Sequence, residues 1–418
     1  MTADPAPRLD PAAASHPSPA PVPPGAYAWF AAGVASWFGA WGMQQVLFSW
    51  LVVGELHAAA EAVGLAQTAS MLPALGLLLV GGAAAERSDT QRLLTRLHAL
   101  AALPVLALSA VVAAGELRFA WILAYAIAIG SVQAFVMPAR DTLLSRVAGG
   151  DLMRAVTGLT AAQFGAQATG ALLAGGARVA GSAPMLAVQG TLLLLGAFAT
   201  ARVPAAPPHP RAGAGARPSA LREITAGLPV VARTPALRWP LALVTAVGVL
   251  FVGPYMVIFP LLVRDAYHGD ALDLALVTMQ FPLGTIAGSL FIRWRGGIRR
   301  KGRAALWALT WGASNLALIA LGLPFWGTLL ATFAWGLGGS VFINCSRTLF
   351  QQAAPAAERA RVLAVYQVGF IGGAPIGTSA MGVASAALGL HGSLLLASGT
   401  MLCVVTALAL FTQTPRME

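Results

Sequence analysis

The chain has 418 residues, of which 57% are hydrophobic and only 10% charged, and it carries a formal net charge of +11. Soluble domains carry about 25% charged residues, so a chain this apolar has too little polar surface to stay in water and reads as a membrane protein. Its two cysteines, Cys345 and Cys403, lie inside apolar stretches, which excludes a disulfide scaffold and a cysteine metal framework.

Residues 1–26 are rich in Pro, Ala and Ser and are expected to form a disordered tail. They lack the apolar core of a secretory signal. Twelve apolar segments follow, at 27–53, 63–85, 93–114, 119–139, 153–177, 183–203, 238–263, 271–292, 303–322, 325–346, 360–387 and 390–411. A helix needs roughly 20 apolar residues to cross a bilayer. The expected fold class is therefore all-α, with twelve transmembrane helices. Between segments six and seven, 204–237 holds Pro207, Pro208, Pro210, Gly213 and Gly215, with six arginines from Arg202 to Arg238. It reads as a linker separating an N-terminal six-helix bundle (27–203) from a C-terminal one (238–412).

The basic residues are not scattered. With the two termini and the even-numbered loops placed on one side, that side holds 23 of the 26 Lys and Arg, leaving Arg118, Arg178 and Arg264 on the other. Basic residues near helix ends stay cytoplasmic. Both termini and the linker are thus expected in the cytoplasm, with a multi-pass chain in the cytoplasmic (inner) membrane. The positive charge sets topology and touches anionic headgroups. No compact basic domain with interleaved aromatics marks a nucleic-acid partner.

The connection between segments two and three reads Gly82-x-x-x-Glu86-Arg87-x-Asp89-x-x-Arg92. A loop this short makes its two helices antiparallel neighbours. The two halves of the chain also echo each other. A shift of 207 residues aligns Arg140 with Arg347, Asp151 with Glu358, Arg154 with Arg361, and Gly165, Gly170 and Gly175 with Gly372, Gly377 and Gly382. Gly82 and Arg87 share their spacing with Gly288 and Arg293.

The loop pattern resembles the signature between helices 2 and 3 of the major facilitator superfamily of secondary transporters, G-x-x-x-D-[RK]-x-G-[RK]-[RK]. Glu86 stands for the Asp, Asp89 for the second Gly, and Arg92 sits one place late. The Asp variant resembles the branch of siderophore exporters and transmembrane secretion effectors. The resemblance covers residues 27 to 411. It implies two pseudo-symmetric parallel six-helix repeats, a cavity lined by helices 1, 4, 7 and 10, alternating access, and efflux by antiport. Helix 5 lacks the Gly-Pro pair common in antiporters, since Ala171 follows Gly170, while helix 11 keeps Pro375 near its glycines.

No carboxylate lies in the middle of any segment, where a charge is costly and marks an ion pathway. Glu55, at the outer end of helix 1, is the candidate proton-coupling group. On the cavity helices the polar candidates are Gln44, Gln45, Gln133, Tyr255 and Asn344, joined by Gln163 and Gln167 one turn apart on helix 5. Buried amides serve as helix ties or as cavity lining. Trp41, Trp50 and Trp335 are candidate aromatic walls. This neutral set suits a hydrophobic or amphiphilic small molecule, drug-like or siderophore-like, rather than a small anion. A ring of charges on the cytoplasmic side, namely Glu86, Arg87, Asp89, Arg92, Arg140, Arg154, Arg347, Glu358 and Arg361, is expected to gate the cavity by pairing across the halves when the cavity faces outward. The chain lacks G-x-x-x-x-G-K-[ST] and enzyme motifs such as H-E-x-x-H, so neither ATP-driven pumping nor enzyme chemistry is expected. The expected partners are a small-molecule substrate, the lipid bilayer and protons, in a monomer without cofactor. A lipid or amphiphile facilitator and an importer of a neutral metabolite are the alternatives.

Overall fold

The computed structural model describes residues 25–148, 152–204, 220–355, 358–412 and 414. All regular structure among them is helical. Twelve long helices follow the order of the apolar segments. They are α1 (Ala26–Trp50), α2 (Ala60–Arg87), α3 (Thr90–Ala113), α4 (Phe119–Val147), α5 (Leu152–Ala174) and α6 (Ser182–Ala201). The second half holds α7 (Pro235–Asp265), α8 (Ala271–Trp294), α9 (Lys301–Ala320), α10 (Phe325–Ala353), α11 (359–388) and α12 (390–411). In lipid every backbone group must be satisfied internally, which favours unbroken helices. Seven helical runs among the described residues are long and apolar enough to cross a bilayer by length and composition alone.

Several boundaries differ from the hydropathy reading. Segments four and ten were expected to end near 139 and 346, but α4 continues to Val147 and α10 to Ala353. The apolar pattern stops where Arg140 and Arg347 begin, whereas the helical backbone runs on. Pro73, Pro104, Pro138, Pro282 and Pro375 sit inside α2, α3, α4, α8 and α11 without ending them. Between α11 and α12 only Gly389, at φ 71° and ψ 175°, breaks the helical path. The linker contains a helix, Ala220–Arg233. Its Val231 packs with Phe350 of α10 and with Val362 and Val365 of α11. The N-terminal tail lies outside the described residues.

Helix pairing repeats between the halves. In the first half α1 packs on α5 and α6, α2 on α4, and α3 on α6. In the second, α7 packs on α11, α8 on α10, and α9 on α12. The backbone repeats as well. A π-turn extends α1 at Leu51–Glu55, and another interrupts α7 at Pro254–Ile258. Each helix is followed by a histidine in the left-handed region, His57 at φ 47° and His268 at φ 50°. A non-glycine residue rarely adopts that conformation.

The glycines on helix 5 serve close packing. A side chain at Gly170 of α5 would enter the backbone of Gly39 on α1. Small residues bring helices together in lipid, where dispersion and hydrogen bonds replace the hydrophobic drive. Gly165, by contrast, faces open space. The halves meet where α2 lies on α11 and α5 on α8. Gly64 of α2 and Gly382 of α11 pack backbone to backbone.

Candidate functional site

The proposed site residues fall into four groups. The first is a polar network inside the first half. Gln44 of α1 accepts hydrogen bonds from the Tyr125 hydroxyl of α4 and from Gln189 Nε2 of α6, the latter at 3.0 Å. A cavity of ≈30 Å3 adjoins it, lined by Trp37, Trp41, Gln44, Gln133 and Gln189 among others. Gln133 makes no hydrogen bond among the described residues, and neither does Gln45. Tyr125 and Gln189 were not anticipated from the sequence. Both sit singly in long apolar runs, and only their convergence on Gln44 gives them a role.

The second group lies toward the even-numbered loops. Arg140 of α4 donates from Nη1 to Gln163 Oε1 of α5 at 2.7 Å, and its Nε and Nη2 hold Asp141 at 2.9 and 2.7 Å. The same guanidinium lies over the Phe38 ring of α1, 5.6 Å from its centroid. The expected gate residue Arg140 is thus engaged within its own half, and Gln163 is its partner. Gln167 is half-buried and makes no side-chain hydrogen bond among the described residues.

The third group is an aromatic cage in the second half. Tyr255, in the π-turn of α7, packs against Phe259, Phe281 of α8 and Trp335 of α10, with ring centroids 5.9, 5.7 and 6.2 Å away. Phe251 closes on Trp335 at 5.3 Å. The Tyr255 hydroxyl donates to the Thr278 carbonyl at 2.5 Å. π-Turns recur at functional positions because they redirect side chains, and here one turns Tyr255 into the cage. Asn344 of α10 stands apart. It is exposed and donates to the Ser340 carbonyl at 2.8 Å and to Ser289 Oγ of α8 at 3.4 Å.

The fourth group is the set of contacts between the halves. On the face carrying the odd-numbered loops, Arg264 Nη1 of α7 donates to the carbonyls of Val53 and Ala58, both at 3.0 Å, across to the α1–α2 connection. Asp265 steadies the same guanidinium through Nε and Nη2 at 2.5 and 2.9 Å. Arg178, after α5, pairs with Asp270 at 3.1 Å. Asp270 is also the N-cap of α8, where it forms a capping box with Asp273. Thr68 of α2 meets Pro375, Thr378 and Ser379 of α11 at 3.2, 2.8 and 2.7 Å. Glu55 is exposed beside this clasp.

On the opposite face, no ion pair joins the halves among the described residues. Asp89 caps α3, accepting from the backbone N–H of Gln91 at 3.0 Å and of Arg92 at 3.5 Å. Arg92 is exposed and lies 3.6 Å from Asp89. Arg347 is exposed, while Glu358 and Arg361 are half-buried. The structure describes the helical backbone at Gly82, Glu86, Arg87 and Arg154, but neither the side chains of the last three nor the surroundings of Gly82.

The sequence matches the family model of transmembrane secretion effectors over residues 18–418. The chain belongs to this family of major facilitator transporters. No curated protein matches it. Its fold is similar to that of the nucleoside transporter NupG, with 13% identity, a TM-score of 0.75, and coverage of 92% of this chain and 98% of that one. It is also similar to an auto-inhibited POT family peptide transporter, with 12% identity, a TM-score of 0.66, and coverage of 94% and 97%. A third likeness is a bacterial homologue of the human lysosomal transporter Spinster in an inward-facing, unoccupied conformation, with 11% identity, a TM-score of 0.64, and coverage of 94% and 97%. At these identities the likeness shows the fold. The transporter is thus a multi-pass membrane protein rather than an enzyme, with a small-molecule substrate and the bilayer as its partners.

Proposed function

We propose that this transporter exports a hydrophobic or amphiphilic neutral small molecule by alternating access, with two six-helix bundles rocking about a cavity between them. The asymmetry of the contacts between the halves carries this reading. They gather on the odd-loop face in the Arg264 clasp, the Arg178–Asp270 pair and the Thr68 cluster. Among the described residues no ion pair joins the halves on the even-loop face, where Asp89 pairs with Arg92 and Arg140 with Asp141 inside the first half. A protein that alternates must hold one face shut while the other is free. With the basic even-loop face in the cytoplasm, this arrangement is the inward-facing state. On this reading the cross-half pairs of the expected ring of charges belong to the outward-facing state.

The proposed substrate class is inferred from the chemistry of the candidate residues. Gln44, Gln133 and the Tyr255–Trp335 cage supply neutral hydrogen-bonding and aromatic surface, and none of these groups is a mid-membrane cation that would draw a small anion. Gln45, Gln163, Gln167 and Asn344 are assigned to the same pathway, with Gln163 reached through Arg140. Glu55 is assigned the coupling proton because it lies beside the clasp on the face that must open to release cargo. Efflux of a panel of neutral lipophilic dyes from cells expressing the protein tests the reading. Expression should speed extrusion under a proton gradient and not after its collapse. Equal extrusion with and without the protein across the panel would refute it. Glu55→Gln should flatten the pH profile of that efflux, and an unchanged profile would remove Glu55 from the mechanism.

A further inference from the structure

The polar network of the first half is incomplete. Gln189 donates its Nε2–H to Gln44 at 3.0 Å, leaving its Oε1 without a donor. Trp37 leaves its Nε1–H without an acceptor. Both residues are almost wholly buried, at 2% and 7% exposure, and both line the same ≈30 Å3 cavity. Gln133, on a further wall, also has no hydrogen-bond partner among the described residues. An unpaired buried polar group keeps the full penalty of its lost hydration, and in a bilayer no bulk water relieves it.

One ligand chemistry answers all three walls. The ligand must accept from the Trp37 indole and donate to the Gln189 carbonyl oxygen. A bare carbonyl lacks the donor and an ammonium lacks the acceptor. A hydroxyl has both. The volume agrees, since a cavity needs only about 10–15 Å3 of such space to hold one water, and a buried water makes about three hydrogen bonds. Trp37, Gln44, Gln133 and Gln189 come from α1, α4 and α6, so an occupant here joins three helices of one half.

We propose that this cavity is a binding site for a single hydroxyl group, supplied either by a water molecule or by the hydroxyl of a bound amphiphile. The site stands whether or not the export reading holds, because it rests only on the orphaned atoms and the space between them. A cryo-EM map of the full-length protein in lipid nanodiscs, at a resolution that shows ordered water, tests it. An isolated peak within hydrogen-bonding distance of Trp37 Nε1 and Gln189 Oε1 identifies water. A peak continuing into a chain identifies an amphiphile's hydroxyl. An empty or collapsed cavity overturns the proposal. A thermal double-mutant cycle with Trp37→Phe, Gln189→Leu and the double variant gives a second readout. A shared ligand makes the melting shifts non-additive, the double variant losing less than the sum of the two. Additive shifts overturn it.

Discussion

Arg264 is the residue whose loss the clasp should feel first. Its Nη1 holds two carbonyls of the α1–α2 connection, Val53 and Ala58, each at 3.0 Å. A hydrogen bond to a charged group contributes roughly 1.5–3 kcal/mol. Both bonds share one nitrogen and the side chain keeps 21% exposure, so the lower end applies and the pair together contributes about 2 kcal/mol. Arg264→Gln removes both bonds and the charge. At tenfold per ~1.4 kcal/mol, opening of the odd-loop face should become about 30-fold more frequent. The assay is labelling of Val263→Cys, a buried position next to the clasp, by a membrane-impermeant maleimide after Cys345 and Cys403 are replaced by Ser. Labelling should speed up by that factor in the Gln variant. Arg264→Lys should lie in between, because a point-charge ammonium cannot match the guanidinium fork that engages Asp265 and two carbonyls together. An unchanged labelling rate in Arg264→Gln would show that the clasp does not hold the face shut.

Three further outcomes follow from local geometry. Gly170→Val drives two methyls and a Cβ into the Gly39 backbone, an overpacking that costs about 1–3 kcal/mol. The detergent-solubilised variant should melt several degrees below Gly165→Val, whose side chain meets open space. Asp89→Ala removes the α3 cap and should destabilise by about 1 kcal/mol, whereas Asp89→Asn should keep most of the wild-type melting temperature. Tyr255→Phe keeps the ring in the cage and deletes only the bond to the Thr278 carbonyl, so it should cost about 1 kcal/mol and leave dye efflux within a few-fold. Tyr255→Ala empties the cage and should abolish it.

Much of the fold was legible because lipid simplifies the code. Twelve apolar stretches became twelve long helices, and the positions of the arginines separated the two ends of the bundle. The linker helix was harder to see. Pro207, Pro208 and Pro210 dominate the composition, but Val231 turns an apolar edge toward α10 and α11 that only the packing reveals. Within the site, Gln44 stood out as an amide in an apolar run, yet its partner Gln189 lies 145 positions away, and no local pattern links them. Arg140 and Gln163 were separately visible as a gate residue and a lining residue. Their pairing at 2.7 Å needed the α4–α5 contact. Arg264 stood out in sequence only as a basic residue on the wrong side. The structure gives that exception a partner, because its Nη1 spans the Val53 and Ala58 carbonyls of the α1–α2 connection. Asp89, read as a gate charge in a degenerate motif, is the cap of α3, an assignment the short loop before a helix supports.

The central claim is that the two faces open in turn. Pulsed electron paramagnetic resonance on the protein in nanodiscs measures this directly, with spin labels at Glu61 and His268 across the odd-loop face and, in a second sample, at Arg92 and Arg299 across the even-loop face, all four being exposed. We predict two distance populations for each pair. Arg264→Gln should lengthen the first pair's mean distance and shorten the second's. Single unchanging distances in both pairs, or a simultaneous widening of both, would contradict alternating access in this protein.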